Sequence, residues 1–316
     1  MSDVEIEIPI TSEVPSAAPP SRDRLVLLAN ESIRARRRPG AVALVYLWHL
    51  VAGALLAAPA AAVVRATWSA HPDGDGPLFA DGGLELLETA MRLERAGTAI
   101  SSHVVLLSFA LWLASVLPLA YLLFSIVHTT ADLRAPRAKV LLPRVVQAAI
   151  PMLILLGLAT VATLVTGGVG LLLASAAMSK LESSLGEARG DQLGVLVGLV
   201  LLAPAASVGV VHDLARAAVV RFRAGPLEAA RIGAKTFLRQ PARLLWSWVW
   251  RALVGLVVLV AVGAIATRLG GRPGAPLAAL FVLHQAVIGA RVALRASWLA
   301  RALRAVDAAY KVASRR

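Results

Sequence analysis

Residues 211–251 read VHDLARAAVVRFRAGPLEAARIGAKTFLRQPARLLWSWVWR, a basic segment between two long apolar runs. Arg216, Arg221, Arg223, Arg231, Lys235, Arg239 and Arg243 stand there against only Asp213 and Glu228. Lys and Arg close to membrane-spanning ends stay on the cytoplasmic side, so this charge fixes a sidedness for the whole chain. Within the segment, Gly225 is suited to the left-handed position that closes one helix, and Pro226 to the first turn of the next. Pro226 to Gln240 reads as a short helix with Leu227, Ala230, Ala234, Phe237 and Leu238 on its apolar face. Arg231, Lys235 and Arg239 recur four residues apart beside that face, and Pro241 ends the helix. Trp246, Trp248 and Trp250 follow where an aromatic belt meets headgroups.

Working outward, 58% of the 316 residues are hydrophobic and the mean hydropathy is +0.73. Soluble domains are closer to half apolar. The excess lies in runs long enough to cross a bilayer core of about 30 Å, which takes roughly 20 helical residues. The net charge of +13 would suggest nucleic acid in a soluble protein. Here the cations lie between apolar runs and lack interleaved stacking aromatics, so positive-inside retention accounts for them and nucleic acid is not expected. The chain has no cysteine, which excludes disulfides, thiolate metal sites and cysteine nucleophiles.

Residues 1–20 are acidic and then rich in Pro, Ser and Ala, and read as a disordered cytoplasmic tail rather than a signal peptide. Ser21 to Arg38, ending in Arg34, Arg36, Arg37 and Arg38, reads as an interfacial helix. Six spans are then expected, at about 41–64, 102–127, 145–165, 193–211, 244–267 and 276–297. The membrane domain runs to about residue 310 and a basic tail to 316. The loop from Arg65 to Ser101, with its turn at Asp73 to Gly76 and an amphipathic piece at Leu84 to Arg95, is net acidic and placed outside. The third run, Val145 to Met178, is uncharged over 34 residues. One span to about Val165 is preferred there, with Gly167, Gly168 and Gly170 breaking it and the rest re-entrant or tilted. A hairpin of two spans would put the basic segment outside. Gly194 with Gly198 and Ala205 with Gly209 let backbones approach closely; a homo-oligomer stays open. This threading puts about 24 Lys and Arg inside and about 7 outside, with both termini in the cytoplasm. The class is an all-α, polytopic integral membrane bundle with amphipathic cytoplasmic connectors.

The runs D-L-A-R-A at Asp213 to Ala217, A-R-x-x-x-K-x-F-L-R-x-P at Ala230 to Pro241 and Q-A-V-x-x-A-R at Gln285 to Arg291 carry a resemblance. From about Ser21 onward the chain resembles uncharacterised bacterial six-span membrane proteins. These are loosely similar to the membrane domain of glycerophosphodiester phosphodiesterases. The resemblance implies a six-helix bundle and no reaction, because the soluble phosphodiesterase domain is missing. The Arg-rich, Ala- and Gly-rich composition fits a GC-rich bacterial genome.

Candidate residues fall into three groups. Arg221, Arg223, Arg231, Lys235, Arg239 and Arg243 are a solvated, orienting face or a surface for anionic lipid headgroups, where each close charge is worth about 1 kcal/mol. Arg251, Arg291 and Arg295 lie within apolar helices; they snorkel to headgroups or serve function there. His284 and Gln285 are interhelical glue or part of a polar path. His128 and His212, followed by Asp132 and Asp213, share the donor types of a metal site, but their spacing requires none. Asp213 and Arg216, three apart, suggest a local ion pair. With no H-E-x-x-H, G-x-x-x-x-G-K-[ST] or G-x-S-x-G, neither catalysis nor a cofactor is expected. The expected function is a non-catalytic scaffold or anionic-lipid module in the bacterial cytoplasmic membrane. The alternative is a small permease with a polar path through the bundle.

Overall fold

A computed structural model describes residues 25–68, 94–130, 136–185, 193, 197–198, 200–201, 203–269 and 275–313. The tail 1–20, the turn at Asp73 to Gly76, Asp132 and the residues 314–316 lie outside this set. So do most of Leu84 to Arg95 and residues 186–192; of the polar loop expected at 179–192 and placed outside, 179–185 are helical. The fold is all-α. In order, the helices are α1 (Pro39–Trp68), α2 (Glu94–Ala114), α3 (Val116–Val127), α4 (Ala138–Leu185), α5 (Ala203–Phe222), α6 (Pro226–Arg239), α7 (Pro241–Leu269) and α8 (Ala275–Ala313). Six helical stretches are long and apolar enough to cross a membrane: 39–59, 102–127, 138–180, 203–222, 241–269 and 275–310. The chain is thus a multi-pass membrane bundle.

Prolines set several of the boundaries. Pro39, Pro226 and Pro241 each open a helix, where the missing N–H costs nothing. Pro118 removes one bond of the second crossing; the helix is interrupted at Ser115, whose hydroxyl donates to the Trp112 carbonyl at 2.6 Å. The third crossing departs from expectation. α4 is a single helix of 48 residues that runs through Gly167, Gly168 and Gly170. Lipid offers the backbone no competing partner, so glycines that would break a soluble helix stay helical. The fourth crossing, expected at 193–211, continues as helix to Phe222, and the described residues 193, 197–198 and 200–201 before it are helical too. Much of the basic stretch that opens the quoted segment is therefore helix interior, and Asp213 to Val220 are all buried.

The interfacial helix expected at 21–38 does not form in its described part. Leu25–Leu27 (β1) pairs antiparallel with His128–Thr130 (β2), and two single 3-10 turns follow at Asn30–Ser32 and Ala35–Arg37. The segment is held by packing, with Ile33 fully buried, and by the Leu28 N–H donating to the Val127 carbonyl at 2.8 Å. The left-handed residue between α5 and α6 is Arg223 (φ 55°), not Gly225, which is extended. α5 ends at Phe222, so the left-handed position falls on the arginine, at a cost of about 1–2 kcal/mol.

α6 packs by a different face from the one its leucines suggest. Leu227 and Leu238 are exposed, while Ala229, Gly233 and Thr236 are buried. A Cβ on Gly233 would lie 2.8 Å from the Ala215 nitrogen and 2.8 Å from the Val211 oxygen, so the α5 and α6 backbones touch there. Small residues make that approach possible, and the leucines are left for the surroundings.

The core is concentrated at one end of the bundle, the end that carries the arginines. Ile33, Leu122, Leu123, Leu141, Met152, Leu214, Trp298 and Leu303 are fully buried there. Further along the crossings, Leu55, Phe109, Leu164, Leu172, Val260 and Phe281 are exposed. Apolar side chains in lipid gain nothing by leaving it, so packing is required only at the end where the helices meet water.

Candidate functional site

At the packed end, Asp213 on α5 is 1% exposed and both its oxygens are occupied by α8. Arg295 donates to Oδ1 and to Oδ2 at 2.6 Å each, and the Trp298 indole N–H donates to Oδ2 at 2.8 Å. Arg216, the partner expected from sequence, stands farther off at 3.6 Å, and its buried Nε has no acceptor among the described residues. A planar bidentate pair outcompetes a strained contact three residues along one helix. A second buried carboxylate, Asp307, receives the Arg221 guanidinium at 2.9 Å, and Arg221 also donates to the Leu28 carbonyl at 3.1 Å. These two nodes tie α5 to α8 and to the N-terminal ribbon.

Arg38 closes α3. Its Nε donates to the Ser125 carbonyl at 2.6 Å and a terminal nitrogen to the His128 carbonyl at 2.8 Å. A cation at a helix C-terminus meets carbonyls that have no intrahelical donor. Burial pulls the Arg38 pKa below its ordinary value, and the charge of Arg37 adds to this. His128 follows. An Arg144 N–H donates to its Nε2 at 2.9 Å, which leaves Nδ1 to carry the proton toward the Phe124 carbonyl at 3.1 Å. That arrangement requires neutral imidazole. Burial lowers the His128 pKa to about 4, and the cations Arg144, Arg221 and Arg223 push the same way against the bond to Phe124.

Two arginine-lined cavities lie along α8. The first, of about 380 Å³, sits between α7 and α8 and is lined by Arg251, Arg291, Arg295, Gly255, Leu256 and Leu259, among others. Arg251 is held in place: its Nε donates to the Ser297 hydroxyl at 3.1 Å and a terminal nitrogen to the Ser247 carbonyl and hydroxyl at 2.6 and 2.7 Å. Arg295 is committed to Asp213, while Arg291 is exposed and has no carboxylate partner among the described residues. The second cavity, of about 490 Å³, is lined by Arg239, Arg243, Arg301 and Arg304 with Gln240 and Thr236. Arg239 there donates to the Ala309 carbonyl at 2.7 Å. Arg301 and Arg304 are within electrostatic reach of Arg251.

The remaining candidates are dispersed. Arg231 and Lys235 are exposed on α6. Arg223 faces Arg144 and Gln147 across a smaller cavity of about 230 Å³. His284 is exposed and bonds through Nδ1 to the Leu280 carbonyl at 2.8 Å. Gln285 accepts from the Tyr46 hydroxyl at 2.9 Å, joining α1 to α8. Arg251, His284 and Gln285 line no common cavity among the described residues. His212 lines an apolar cavity against α4, away from His128, and no group of three His, Asp or Glu converges among the described residues.

Sequence reasoning took Arg38 only as the end of an interfacial helix and did not single out Asp307, Arg301 or Arg304. One signal was available: Asp213, Glu228 and Asp307 are the only acids after residue 192. A lone acid in an apolar helix demands a cation from elsewhere. Comparison with protein-family models, with curated proteins and with solved structures finds no match. The class that the fold defines, a multi-pass helical membrane bundle, therefore stands on the chain's own geometry.

Proposed function

We propose that this chain is a non-catalytic module of a bacterial cytoplasmic membrane that holds anionic phospholipid at its basic end. In this reading the arginine-rich end and both termini face the cytoplasm. The observation that carries it is the cavity between α7 and α8. Arg251 and Arg291 stand on its polar side without a carboxylate of their own among the described residues, and Leu256 and Leu259 stand on its apolar side. A phosphodiester needs guanidinium donors and an acyl chain needs an apolar wall, and here the two are adjacent. Trp246 and Trp250 are exposed on the same helix, within about a turn and a half of Arg251, where an indole suits the headgroup layer. Arg231 and Lys235 on the outer face of α6, beside exposed Leu227 and Leu238, would add a broader attraction to the same leaflet. The resemblance to the membrane domain of glycerophosphodiester phosphodiesterases is carried into this proposal as a shared architecture only.

The test is lipid retention. Protein extracted in mild detergent from a membrane of mixed phosphatidylethanolamine and phosphatidylglycerol should co-purify with phosphatidylglycerol, seen by native mass spectrometry. R251Q/R291Q should lose that enrichment while remaining folded by circular dichroism. Equal phosphatidylglycerol retention by the folded variant and the wild type would defeat the reading.

A further inference from the structure

The second cavity differs in kind from the first. Four arginines from three helices, Arg239 of α6, Arg243 of α7, Arg301 and Arg304 of α8, share it, and among the described residues no carboxylate lines it. Like charges so gathered repel one another, and Arg301 is within electrostatic reach of both Arg243 and Arg304. The fold supplies one partial compensation, the bond from Arg239 to the Ala309 carbonyl. The Arg301 Nε–H is covered yet has no acceptor among the described residues. Gln240 and the first turn of α7, at Arg243 and Leu244, also border the cavity; Pro241 has no N–H and Leu244 donates to the Gln240 carbonyl at 3.1 Å, which leaves the Ala242 and Arg243 N–H groups without an intrahelical acceptor. Donors and positive charge are thus in surplus on every wall. Where the first cavity has several leucines suited to an acyl chain, Leu244 is joined here only by the small Ala305, Ala308 and Ala309 as apolar lining.

We propose that this cavity binds a multiply charged phosphate group, a phosphomonoester or a diphosphate, presented by a lipid headgroup or by a soluble compound. A phosphodiester carries one negative charge and would leave most of the surplus unmet. A phosphomonoester carries about 1.5 to 2 negative charges and three acceptor oxygens at neutral pH, and planar guanidinium forks match such oxygens in pairs. The inference deepens the phospholipid reading and rests on it for placing this end of the bundle in water.

The experiment uses the full chain in nanodiscs of zwitterionic lipid, at constant ionic strength. Inorganic pyrophosphate is titrated and binding is followed by calorimetry; separate discs carry phosphatidic acid, with lipid retention read by native mass spectrometry. Saturable pyrophosphate binding points to a soluble source, and retention of phosphatidic acid without it points to a headgroup. In whichever arm responds, R243Q/R304Q should weaken binding by at least about tenfold. R243K/R304K, which keeps the charge, controls for folding and should lose less. R251Q/R291Q, outside this cavity, should weaken pyrophosphate binding far less than R243Q/R304Q does. The proposal is overturned if neither probe binds the wild type, or if the folded R243Q/R304Q variant binds as the wild type does. Loss of phosphatidylglycerol enrichment in R251Q/R291Q together with silence in both arms would sink this inference and leave the phospholipid reading standing.

Discussion

Asp213 of α5 and Arg295 of α8 are joined by two hydrogen bonds of 2.6 Å, with the Trp298 indole on the same carboxylate. Breaking a buried pair from one side strands the other charge, which costs about 3–5 kcal/mol when both are fully buried. The Arg295 side chain is 39% exposed, so solvent relieves part of this. D213N should therefore destabilise the protein by about 2–3 kcal/mol. The measurement is unfolding in detergent, where D213N should unfold well before the wild type and R295M, which strands a carboxylate only 2% exposed, should be more severe than D213N. An unchanged midpoint for D213N would remove the pair from the account of what holds α5 to α8.

The contact of α6 with α5 admits no added carbon. G233A should push the two helices apart and cost about 1–3 kcal/mol, since backbone atoms cannot rotate away. G225A, with nothing within 4 Å of the new methyl group, should be close to neutral. L227S and L238S remove exposed leucines and should change detergent stability by less than about 0.5 kcal/mol. Thermal melts of the four variants separate the packed face from the open one. Large losses in the leucine variants would reverse the assignment of faces.

His128 makes stability depend on acidity. Its folded pKa of about 4 lies below the 6.5 of the unfolded chain. Between these values the unfolded state binds more protons, so stability rises with pH across that window. The contribution is complete above about pH 6.5 and is lost as pH falls toward 4. Comparing melts of the wild type and H128N from pH 7 to about pH 4 isolates it; the variant should show the shallower dependence. Parallel curves would mean that the imidazole is not held neutral by Arg144 and Phe124.

Sidedness is open to direct chemistry because the chain has no cysteine. Lys235 is exposed on α6, so K235C gives a single thiol. In inverted membrane vesicles a membrane-impermeant maleimide should label it, and in intact cells it should not. Labelling from outside intact cells would invert the proposed topology.

The class and the number of crossings were legible because a bilayer imposes length and apolarity on every crossing helix. The six expected spans match six helical stretches of the structure, with ends displaced where a charged helix continues inward, as at Asp213 to Phe222. The partner of Asp213 was not legible. Many arginines could have reached it, and only the packing of α5 on α8 selects Arg295. The packed face of α6 was read only in part, for a related reason: Ala230 and Phe237 pack against the core, but Leu227 and Leu238 do not. Periodicity finds the apolar side of a helix, but beside a membrane the apolar side can be the one left outward, and small residues mark the contact. The two cavities are assembled from Arg239 to Arg251 and Arg291 to Arg304, stretches some fifty residues apart in sequence. The first half of each cavity was visible as a cationic run, while Arg291 and Arg295 stood out only as charges within an apolar helix and nothing pointed to Arg301 and Arg304 as their continuation.

A bundle packed at one end alone has a mechanical consequence. The clamp made by Asp213, Asp307 and the surrounding core lies where the arginines are, and the opposite reaches of α4, α7 and α8 are coated with exposed leucine, valine and phenylalanine. Those reaches can lean or straighten as the hydrocarbon layer thins or thickens, without disturbing the clamp. Acyl-chain length should therefore alter the tilt of the crossings and leave the unfolding midpoint almost unmoved, so that the same fold tolerates membranes of unequal thickness.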